Sequence, residues 1–376
     1  MYRLVFIFLS VSFIVQSQKA SIKNQQSVVF TSNYTVKNQD FSDYLKAYHV
    51  STNAPGSLML VNRQDSIWQG AIGYANYSEN KLITPNSPFH IGSISKTFTA
   101  VLVLQLVEEN KLKLDDKIVN YFPELNSKVN GFEKITIRHL LAHTSGLVDP
   151  TNDNFWYKFS IVSNPKKFHD KTTLQLVKKY LLGKKLKFKP GTNYSYSNAG
   201  YWLLELLLEK MENTPISKIL EKRICEPLGL TNTSLFVSDE SSFTKGYYVG
   251  RFLKMKDVTK WDKAEAGSKA PGGIISTTSD LNLFFNNLFS NRFLSVTTLE
   301  EMKRIQLADC KSNVCEYGLG LEVWRFDQLT AFGHNGSLLG AEANILFFEQ
   351  YKTIIVLFKN NGGGSNKMFI KNLVEK

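Results

Sequence analysis

Residues 89–109 read FHIGSISKTFTAVLVLQLVEE. From Phe98 onwards the side chains are apolar almost without interruption, and a helix that is apolar on every side belongs inside a protein. Ser93 and Lys96 precede this run and are three positions apart, so the first helical turn places them on one face. The stretch therefore predicts a buried central helix whose first turn carries a serine hydroxyl beside a lysine amine.

This pair suits nucleophilic catalysis. A serine hydroxyl becomes an effective nucleophile when a neighbouring base removes its proton. Burial in an apolar helix disfavours the charged form of lysine and lowers its pKa, so that Lys96 can be that base. The S-x-x-K spacing also occurs by chance, and its position after Gly92 and before a buried helix is what gives it weight. We predict Ser93 as the nucleophile and Lys96 as its base.

A second polar element, residues 190–198, reads PGTNYSYSN. Its Pro-Gly pair marks a turn. Tyr196 and Asn198 are two residues apart, so in an extended loop their side chains point the same way. A phenol beside a lysine can relay protons, and an amide can hold a substrate carbonyl. The alternative is an ordinary polar turn before the helix predicted at 201–210.

A third element follows the strand predicted at 329–333 and reads Gly333-His334-Asn335-Gly336-Ser337. Glycines at a sheet edge let a substrate approach the backbone closely. The backbone N–H of Ser337, together with that of Ser93, is then a candidate donor to an oxyanion.

In this order the three elements resemble the motifs of the serine β-lactamase and penicillin-binding-protein superfamily. The similarity is closest to the branch of class C β-lactamases, D-alanyl-D-alanine carboxypeptidases, esterases and D-aminopeptidases. It extends over about residues 41–360 and includes LLAHTSGL at 140–147, EPLGL at 226–230 and GGIIST at 272–277. The resemblance implies catalytic roles for Ser93, Lys96 and Tyr196 and substrate-binding roles for Asn198, His334, Asn335, Gly336 and Ser337.

The resemblance implies a serine hydrolase that forms an acyl-enzyme on Ser93 with peptide, amide or ester substrates, similar to D-alanyl-D-alanine carboxypeptidases and esterases. Two alternatives stay open: a catalytically silent relative that binds peptidoglycan or a partner, and a class C-like β-lactamase. The family's K-T-G lysine is His334 here, and histidine is only partly charged near pH 7, which argues against efficient β-lactam hydrolysis. We expect no cofactor and no metal. His139 and His143 have a spacing that can hold zinc, but a third ligand is not apparent.

The strand and helix patterns predict an α+β fold of the β-lactamase/transpeptidase-like type. Strand patterns lie towards both chain ends, at 57–63, 66–74, 321–326, 329–333, 341–348 and 353–358, with helical patterns between them. We therefore expect an antiparallel sheet formed by both chain ends, flanked by helices, with a mostly helical inserted region. The catalytic domain is predicted at 41–376, with its sheet region at about 41–92 and 310–376 and its helical region at about 93–309.

Residues 1–17 are predicted to be a secretory signal peptide, because Arg3 precedes an apolar run from Leu4 to Val15. That run is shorter than the roughly 20 residues of a spanning helix, although an uncleaved anchor is the alternative. Residues 18–40 are polar and expected to be mobile. We expect a secreted or periplasmic protein without a transmembrane segment once the signal is removed.

The 376 residues carry a formal net charge of +12, from 37 Lys and 8 Arg against 33 acidic residues. Specific DNA reading relies on arginine, so the lysine excess argues against a nucleic-acid partner. We expect a small-molecule or peptide substrate instead, including peptidoglycan fragments. Cys310 and Cys315 can bridge a short loop, which would leave Cys225 free, but sequence alone does not settle the pairing.

Overall fold

The computed structural model describes residues 29–32, 38–64, 66–235, 242–250, 255–267, 269–307, 316–363 and 366–374. Within these ranges the strands are β1 (Val29–Ser32), β2 (Gly56–Arg63), β3 (Ser66–Asn76), β4 (Lys81–Leu82), β5 (Phe89–His90), β6 (Tyr247–Tyr248), β7 (Lys256–Asp257), β8 (Ile275–Ser276), β9 (Glu322–Phe326), β10 (Leu329–Ser337), β11 (Glu342–Phe348) and β12 (Thr353–Lys359). The α-helices are α1 (Asn38–Thr52), α2 (Ser95–Glu108), α3 (Ile137–Leu141), α4 (Pro150–Asp153), α5 (Phe155–Ser163), α6 (Pro165–His169), α7 (Thr173–Tyr180), α8 (Asn198–Glu212), α9 (Ile216–Leu220), α10 (Glu226–Leu228), α11 (Thr259–Ala266), α12 (Thr278–Phe289), α13 (Val296–Lys303) and α14 (Lys367–Val374). None of the helices in these ranges has both the length and the apolar character needed to cross a bilayer.

One large antiparallel sheet organises the molecule. Over the described ranges its strand order is β1-β3-β2-β12-β11-β10-β9, and β4 pairs with the end of β3. The central pair joins distant parts of the chain, since Leu60 of β2 lies opposite Val356 of β12. The prediction of an α+β fold, with an antiparallel sheet formed by both chain ends around a mostly helical region, is confirmed.

Both faces of this sheet are covered. Successive residues of a strand point to opposite faces, and in β2 and β12 both sets are buried. Met59 and Leu357 pack in the same cluster as residues of α1 and α14, whereas Leu58 and Val356 pack against the helical region. Because neither face meets water, β12 has the almost entirely apolar sequence TIIVLFK.

The predicted central helix is α2, which begins at Ser95. Its residues from Phe98 to Leu104, except Thr99, are at most 1% exposed. The Phe98 ring stacks on Phe284 of α12 with 3.7 Å between ring centroids. Full burial of one such aromatic side chain stabilises a fold by about 1.5–3 kcal/mol. This packing fixes the start of α2 beside the sheet.

Several predictions fall on residues outside the described ranges, namely the signal peptide at 1–17 and the bridge between Cys310 and Cys315. Within 18–40, the described residues are β1, which pairs with β3, and the first turn of α1, while the mobility of this segment stays a prediction. The edge of β3 supplies free backbone hydrogen-bonding groups, which allows this short polar segment to add a strand. Cys225 is buried as a free thiol.

Candidate active site

Ser93 lies where the chain passes from the sheet side into α2. A single 3-10 turn over Gly92–Ile94 joins β5 to the helix. Gly92 has a φ of +52°, a left-handed conformation that glycine adopts at little cost. A Cβ on Gly92 would lie 3.1 Å from the Ser337 nitrogen, so glycine also lets this turn approach β10 closely. Ser93 is therefore held against the end of β10.

The three predicted catalytic side chains meet at one oxygen atom. Lys96 Nζ lies 3.0 Å from Ser93 Oγ, and the Tyr196 hydroxyl donates to the same Oγ at 2.7 Å. Lys96 Nζ also donates to the Pro271 carbonyl at 2.7 Å and lies 4.9 Å from the centre of the Tyr196 ring. The serine hydroxyl thus has two proton-transfer partners in direct contact.

Burial sets the protonation of both partners. It lowers the pKa of the fully buried Lys96 amine to about 7, against the opposing effect of the Asp149 and Glu322 charges. Burial also raises the pKa of Tyr196 well above its ordinary value. Near neutral pH a large fraction of Lys96 is therefore uncharged, while Tyr196 keeps its proton. A neutral amine that donates one hydrogen to a carbonyl still has a lone pair for the serine proton.

The loop that carries Tyr196 is fixed by His143, which follows α3. The backbone N–H of Ser197 donates to His143 Nδ1 at 3.1 Å, and that of Ser195 donates to the His143 carbonyl at 3.0 Å. The His143 ring packs 4.1 Å from the Tyr196 ring, centroid to centroid. Burial lowers the pKa of His143 well below its ordinary value, so the ring is a neutral acceptor. His143 therefore positions the catalytic loop.

The zinc spacing noted in the sequence has a different explanation. His139 Nδ1 accepts a hydrogen bond from the Thr136 backbone N–H at 3.2 Å and so closes a capping box at the start of α3. The Nδ1 atom of His143 accepts from the Ser197 backbone N–H in the loop that carries Tyr196. In the part of the chain that the structure describes, no group of three or more His, Cys, Asp or Glu residues is arranged to hold a metal ion.

Asn198 is the first residue of α8 and lines the cavity beside Ser93. Its Nδ2 donates to Thr151 Oγ1 at 2.6 Å and to Asp149 Oδ1 at 3.4 Å, and its backbone N–H donates to the same Oδ1 at 3.3 Å. Asp149 is 1% exposed and also accepts from the Thr151 hydroxyl at 2.7 Å. Asp149 therefore orients Asn198. Asp149 was not among the predicted site residues, since its only local signal is its position just before Pro150, at the start of α4.

Strand β10 ends at Ser337, rather than at Gly333 as predicted. Its last residues pair with β11, with Ser337 opposite Glu342. A Cβ on Gly336 would lie 1.9 Å from the Ile91 carbonyl oxygen and 3.3 Å from the Ser93 nitrogen. The absence of a side chain thus lets β10 reach the Ser93 turn. The Ser93 turn and the end of β10 therefore lie side by side, which keeps the Ser93 and Ser337 N–H groups as candidate donors to one oxyanion.

The structure does not place the predicted substrate-binding residue His334 in the cavity lining. Its side chain is fully buried, accepts from the Tyr317 hydroxyl on Nε2 at 2.8 Å and donates from Nδ1 to the Asn335 carbonyl at 2.6 Å. Burial, assisted by the charge of Lys96, lowers the His334 pKa to about 3. Its ring is therefore neutral, with both nitrogens occupied, and makes no charged contact with a substrate.

A cavity of about 270 Å³ opens beside Ser93. Predicted site residues line it next to the serine, namely Tyr196, Asn198, Asn335 and Ser337. The helical region supplies mostly large apolar or aromatic side chains, namely Tyr157, Phe168, Leu176 and Trp202, together with the carboxyl group of Glu265. The cavity thus combines an aromatic and apolar wall with many polar groups around the serine.

Glu322, the first residue of β9, also lines this cavity. Its Oε2 accepts from the Asn335 backbone N–H at 3.1 Å and from Trp324 Nε1 at 2.7 Å. Burial raises the pKa of Glu322 to about 7. Glu322 was not among the predicted site residues, because a single glutamate at the start of a strand has the same local sequence pattern as a solvent-facing charge.

Comparisons with known proteins identify the family of the chain and its fold. The family model described as Beta-lactamase matches residues 41–373. Penicillin-binding protein 4* of Bacillus subtilis is 26% identical over 319 residues, which cover 80% of this chain and 67% of that protein. Protein flp of Staphylococcus aureus (strain COL) is 30% identical over 183 residues, or 48% of this chain and 34% of flp. The matched segment thus spans about a third of flp.

Among solved structures, the D-stereospecific amidohydrolase from Streptomyces sp. is similar over most of its length. It superposes with a TM-score of 0.75 and 26% sequence identity. The match covers 88% of this chain and 97% of the amidohydrolase chain. Nearly all of the amidohydrolase chain therefore has the same fold as this protein.

Proposed function

Since the chain belongs to the Beta-lactamase family and is a serine hydrolase of that superfamily, we propose that it cleaves small amides, peptides and esters through an acyl-enzyme on Ser93. Within that class we propose an activity similar to D-alanyl-D-alanine carboxypeptidases and esterases. The observation that carries the proposal is the contact of Ser93 Oγ with Lys96 Nζ at 3.0 Å and with the Tyr196 hydroxyl at 2.7 Å.

Acylation starts when neutral Lys96 accepts the hydroxyl proton while Ser93 Oγ forms a bond to the substrate carbonyl carbon. The carbonyl oxygen becomes negative and accepts hydrogen bonds from the Ser93 and Ser337 N–H groups. The tetrahedral intermediate then collapses and the C–N or C–O bond breaks. Tyr196 gives its proton to the departing amine or alcohol and takes one back from the Lys96 ammonium.

Deacylation repeats these steps with water as the nucleophile. Lys96, directly or through the Tyr196 hydroxyl, takes a proton from a water molecule that attacks the ester carbonyl. The same two backbone N–H groups hold the negative oxygen. Collapse of the intermediate returns a proton to Ser93 Oγ and releases the carboxylic acid. Each group therefore ends in the protonation state in which it began.

The test is labelling of the purified protein by a fluorophosphonate, together with turnover of a p-nitrophenyl ester, an acylated D-Ala-D-Ala peptide and a chromogenic cephalosporin. We expect one label on Ser93 and no label or turnover in Ser93→Ala. Lys96→Ala, which keeps the nucleophile and loses the base, should slow labelling by about two to four orders of magnitude. Unchanged labelling of Ser93→Ala, with thermal unfolding like that of the wild type, would overturn the assignment.

The same experiment separates the alternatives. A catalytically silent relative would accumulate the acylated protein, seen as a stable mass increase, without releasing product. A class C-like β-lactamase would turn over the cephalosporin faster than the ester or peptide. Because His334 is neutral and buried, we expect ester or peptide turnover to exceed β-lactam turnover.

We also propose that the protein works outside the cytoplasm after loss of residues 1–17, on small or peptide substrates that include peptidoglycan fragments. The apolar run Leu4–Val15 supports the location, and the net charge of +12 suits attraction to anionic envelope polymers. The mass of the N-terminal peptide of the protein from its native source tests the cleavage, and detection of residues 1–17 in that protein would contradict it.

A further inference from the structure

One carboxylate oxygen in the cavity is left for a ligand. Oε2 of Glu322 is held by the Asn335 N–H at 3.1 Å and by Trp324 Nε1 at 2.7 Å. Both of these hydrogen bonds are to Oε2, whereas Oε1 lies 3.4 Å from His334 Nδ1. That nitrogen gives its hydrogen to the Asn335 carbonyl at 2.6 Å. The carboxylate is thus fixed in place while Oε1 keeps its capacity to accept.

Within the part of the chain that the structure describes, no lysine or arginine forms an ion pair with Glu322 on the strand side of the cavity. His334, with which Glu322 is in contact, is neutral. Lys96 is directed at Ser93 Oγ and the Pro271 carbonyl. Lys269, which lines the cavity from the helical side, donates to backbone carbonyls. A substrate group beside β9 and β10 therefore meets a negative or neutral wall.

The reaction geometry brings the substrate to this wall. Its carbonyl oxygen must lie between the Ser93 and Ser337 N–H groups, so the neighbouring atoms extend along the edge of β10. The next residue on the same strand face is Asn335, about 7 Å away at two residues of strand rise, and its N–H binds Glu322. A charge one residue from the scissile bond is therefore within interaction range of the carboxylate.

We propose that Glu322 is a specificity-determining residue that selects against a carboxylate next to the scissile bond and favours neutral or ammonium-bearing amides and esters. This inference rests on the proposed acyl-enzyme function and moves it from carboxypeptidase towards amidase and esterase activity. Two like charges within about 10 Å of each other at a partly buried site repel strongly enough to change a rate constant about tenfold. An ammonium group at the same place is attracted.

The test uses three substrates with one acyl group, N-acetyl-D-alanine, joined to D-alanine, to D-alaninamide or to 1,2-diaminoethane. They place a carboxylate, a neutral amide and an ammonium beside the scissile bond. At pH 8.5 the wild type should have kcat/KM at least about tenfold higher for the alaninamide than for the alanine substrate, with the ammonium substrate highest. The variant Glu322→Gln keeps the shape of the side chain. In this variant the ratio of kcat/KM for the alaninamide substrate to that for the alanine substrate should fall at least fivefold, mainly because kcat/KM for the alanine substrate rises.

Glu265→Gln is the matched control, because Glu265 lines the same cavity from α11 and loses the same charge. Its alaninamide-to-alanine ratio should stay within about twofold of the wild type. If this ratio changes as much in Glu265→Gln as in Glu322→Gln, the selectivity comes from the total charge of the cavity, and the role of Glu322 is overturned. If the ratio is unchanged in Glu322→Gln while turnover still depends on Ser93, this inference is overturned and the proposed function stands.

A second measurement needs no variant. N-acetyl-D-Ala-D-Ala and its C-terminal amide are compared as competitive inhibitors of ester hydrolysis by the wild type. The acid should bind at least tenfold more weakly, and equal inhibition constants would contradict the inference. If no substrate is turned over in a Ser93-dependent way, the proposed function fails, and this inference fails with it.

Discussion

At the scale of single residues, the proposed mechanism depends on the protonation of the Lys96 amine. Burial lowers the pKa of Lys96 to about 7, and only the neutral amine can take the Ser93 proton. We expect kcat/KM for an ester to rise about tenfold per pH unit well below pH 7 and to level off above it, since deprotonation of Lys96 is complete there. A profile from pH 5 to 9 measures this, and a flat or falling curve would contradict it.

A substitution of Asp149 tests whether Lys96 sets the midpoint of this profile. Its negative charge raises the pKa of Lys96, so Asp149→Asn should move the midpoint of the profile to lower pH. Weaker alignment of Asn198 should raise KM in the same variant. Asp153→Asn is the matched control for Asp149→Asn. Asp153 lies nearby in α4, but its side chain is half exposed and is paired with Lys187. This control should leave the midpoint unchanged, and a shift of equal size in both variants would count against a specific role for Asp149.

At the scale of elements, the site depends on how closely β10 meets the Ser93 turn. A methyl group on Gly336 would collide with the Ile91 carbonyl, which a backbone atom cannot easily avoid. Gly336→Ala should therefore separate the Ser93 and Ser337 N–H groups, lower kcat by about a hundredfold and destabilise the fold by about 1–3 kcal/mol. Steady-state kinetics and urea unfolding measure the two effects.

Gly272→Ala is the stability control for that variant. Gly272 lies in the same neighbourhood, but the nearest atom to an added Cβ is 3.8 Å away, an ordinary contact distance. Its midpoint of urea unfolding should match that of the wild type. If Gly336→Ala has wild-type stability and kcat, β10 tolerates the methyl group and the close approach is not required.

The elements with a strong hydrophobic pattern could be predicted from the sequence. The run after Phe98 identified α2, and apolar strand patterns towards both chain ends gave the sheet. The end of β10 was missed because Asn335 to Ser337 are polar and contain a glycine, which locally indicates a turn. Pairing with β11 and packing against the Ser93 turn decide otherwise, and the Ser93 turn lies far away in the chain.

The candidate site was predictable to a similar extent. Ser93 and Lys96 carry a local spacing signal, and Tyr196 and Asn198 were linked to them by resemblance. Asp149, Glu322 and the orientation of His334 have no such signal. Their positions depend on partners such as Tyr317 and Trp324, whose own positions follow from the assembled sheet and loops.

At the scale of the whole molecule, the last helix closes the sheet face that lies opposite the helical region. Ile370 of α14 is fully buried in one cluster with residues of α1, β2 and β12. Ile370→Ala should destabilise the protein by about 2–5 kcal/mol, because the side chain leaves a cavity. Its kcat/KM at low temperature should not change, because Ser93 faces the other side of the sheet. Urea unfolding and ester kinetics test both statements.

Lys371→Ala is the control in the same helix. The Lys371 side chain is partly exposed and paired with Asp327, and surface ion pairs contribute about 0–1 kcal/mol. A destabilisation equal to that of Ile370→Ala would mean that α14 contributes through charge rather than through apolar burial.

The pairing of β2 with β12 also has a consequence for biosynthesis. A ribosome makes β2 early and β12 nearly three hundred residues later, and until then one edge of β2 has no partner strand. The interior of the sheet therefore cannot assemble before β12 has left the ribosome, and contacts so distant in sequence form slowly. Throughout that interval the nascent strands are open to pairing with other chains. We expect the sheet to form only after β12 has been made, with dependence on a chaperone that shields these strands.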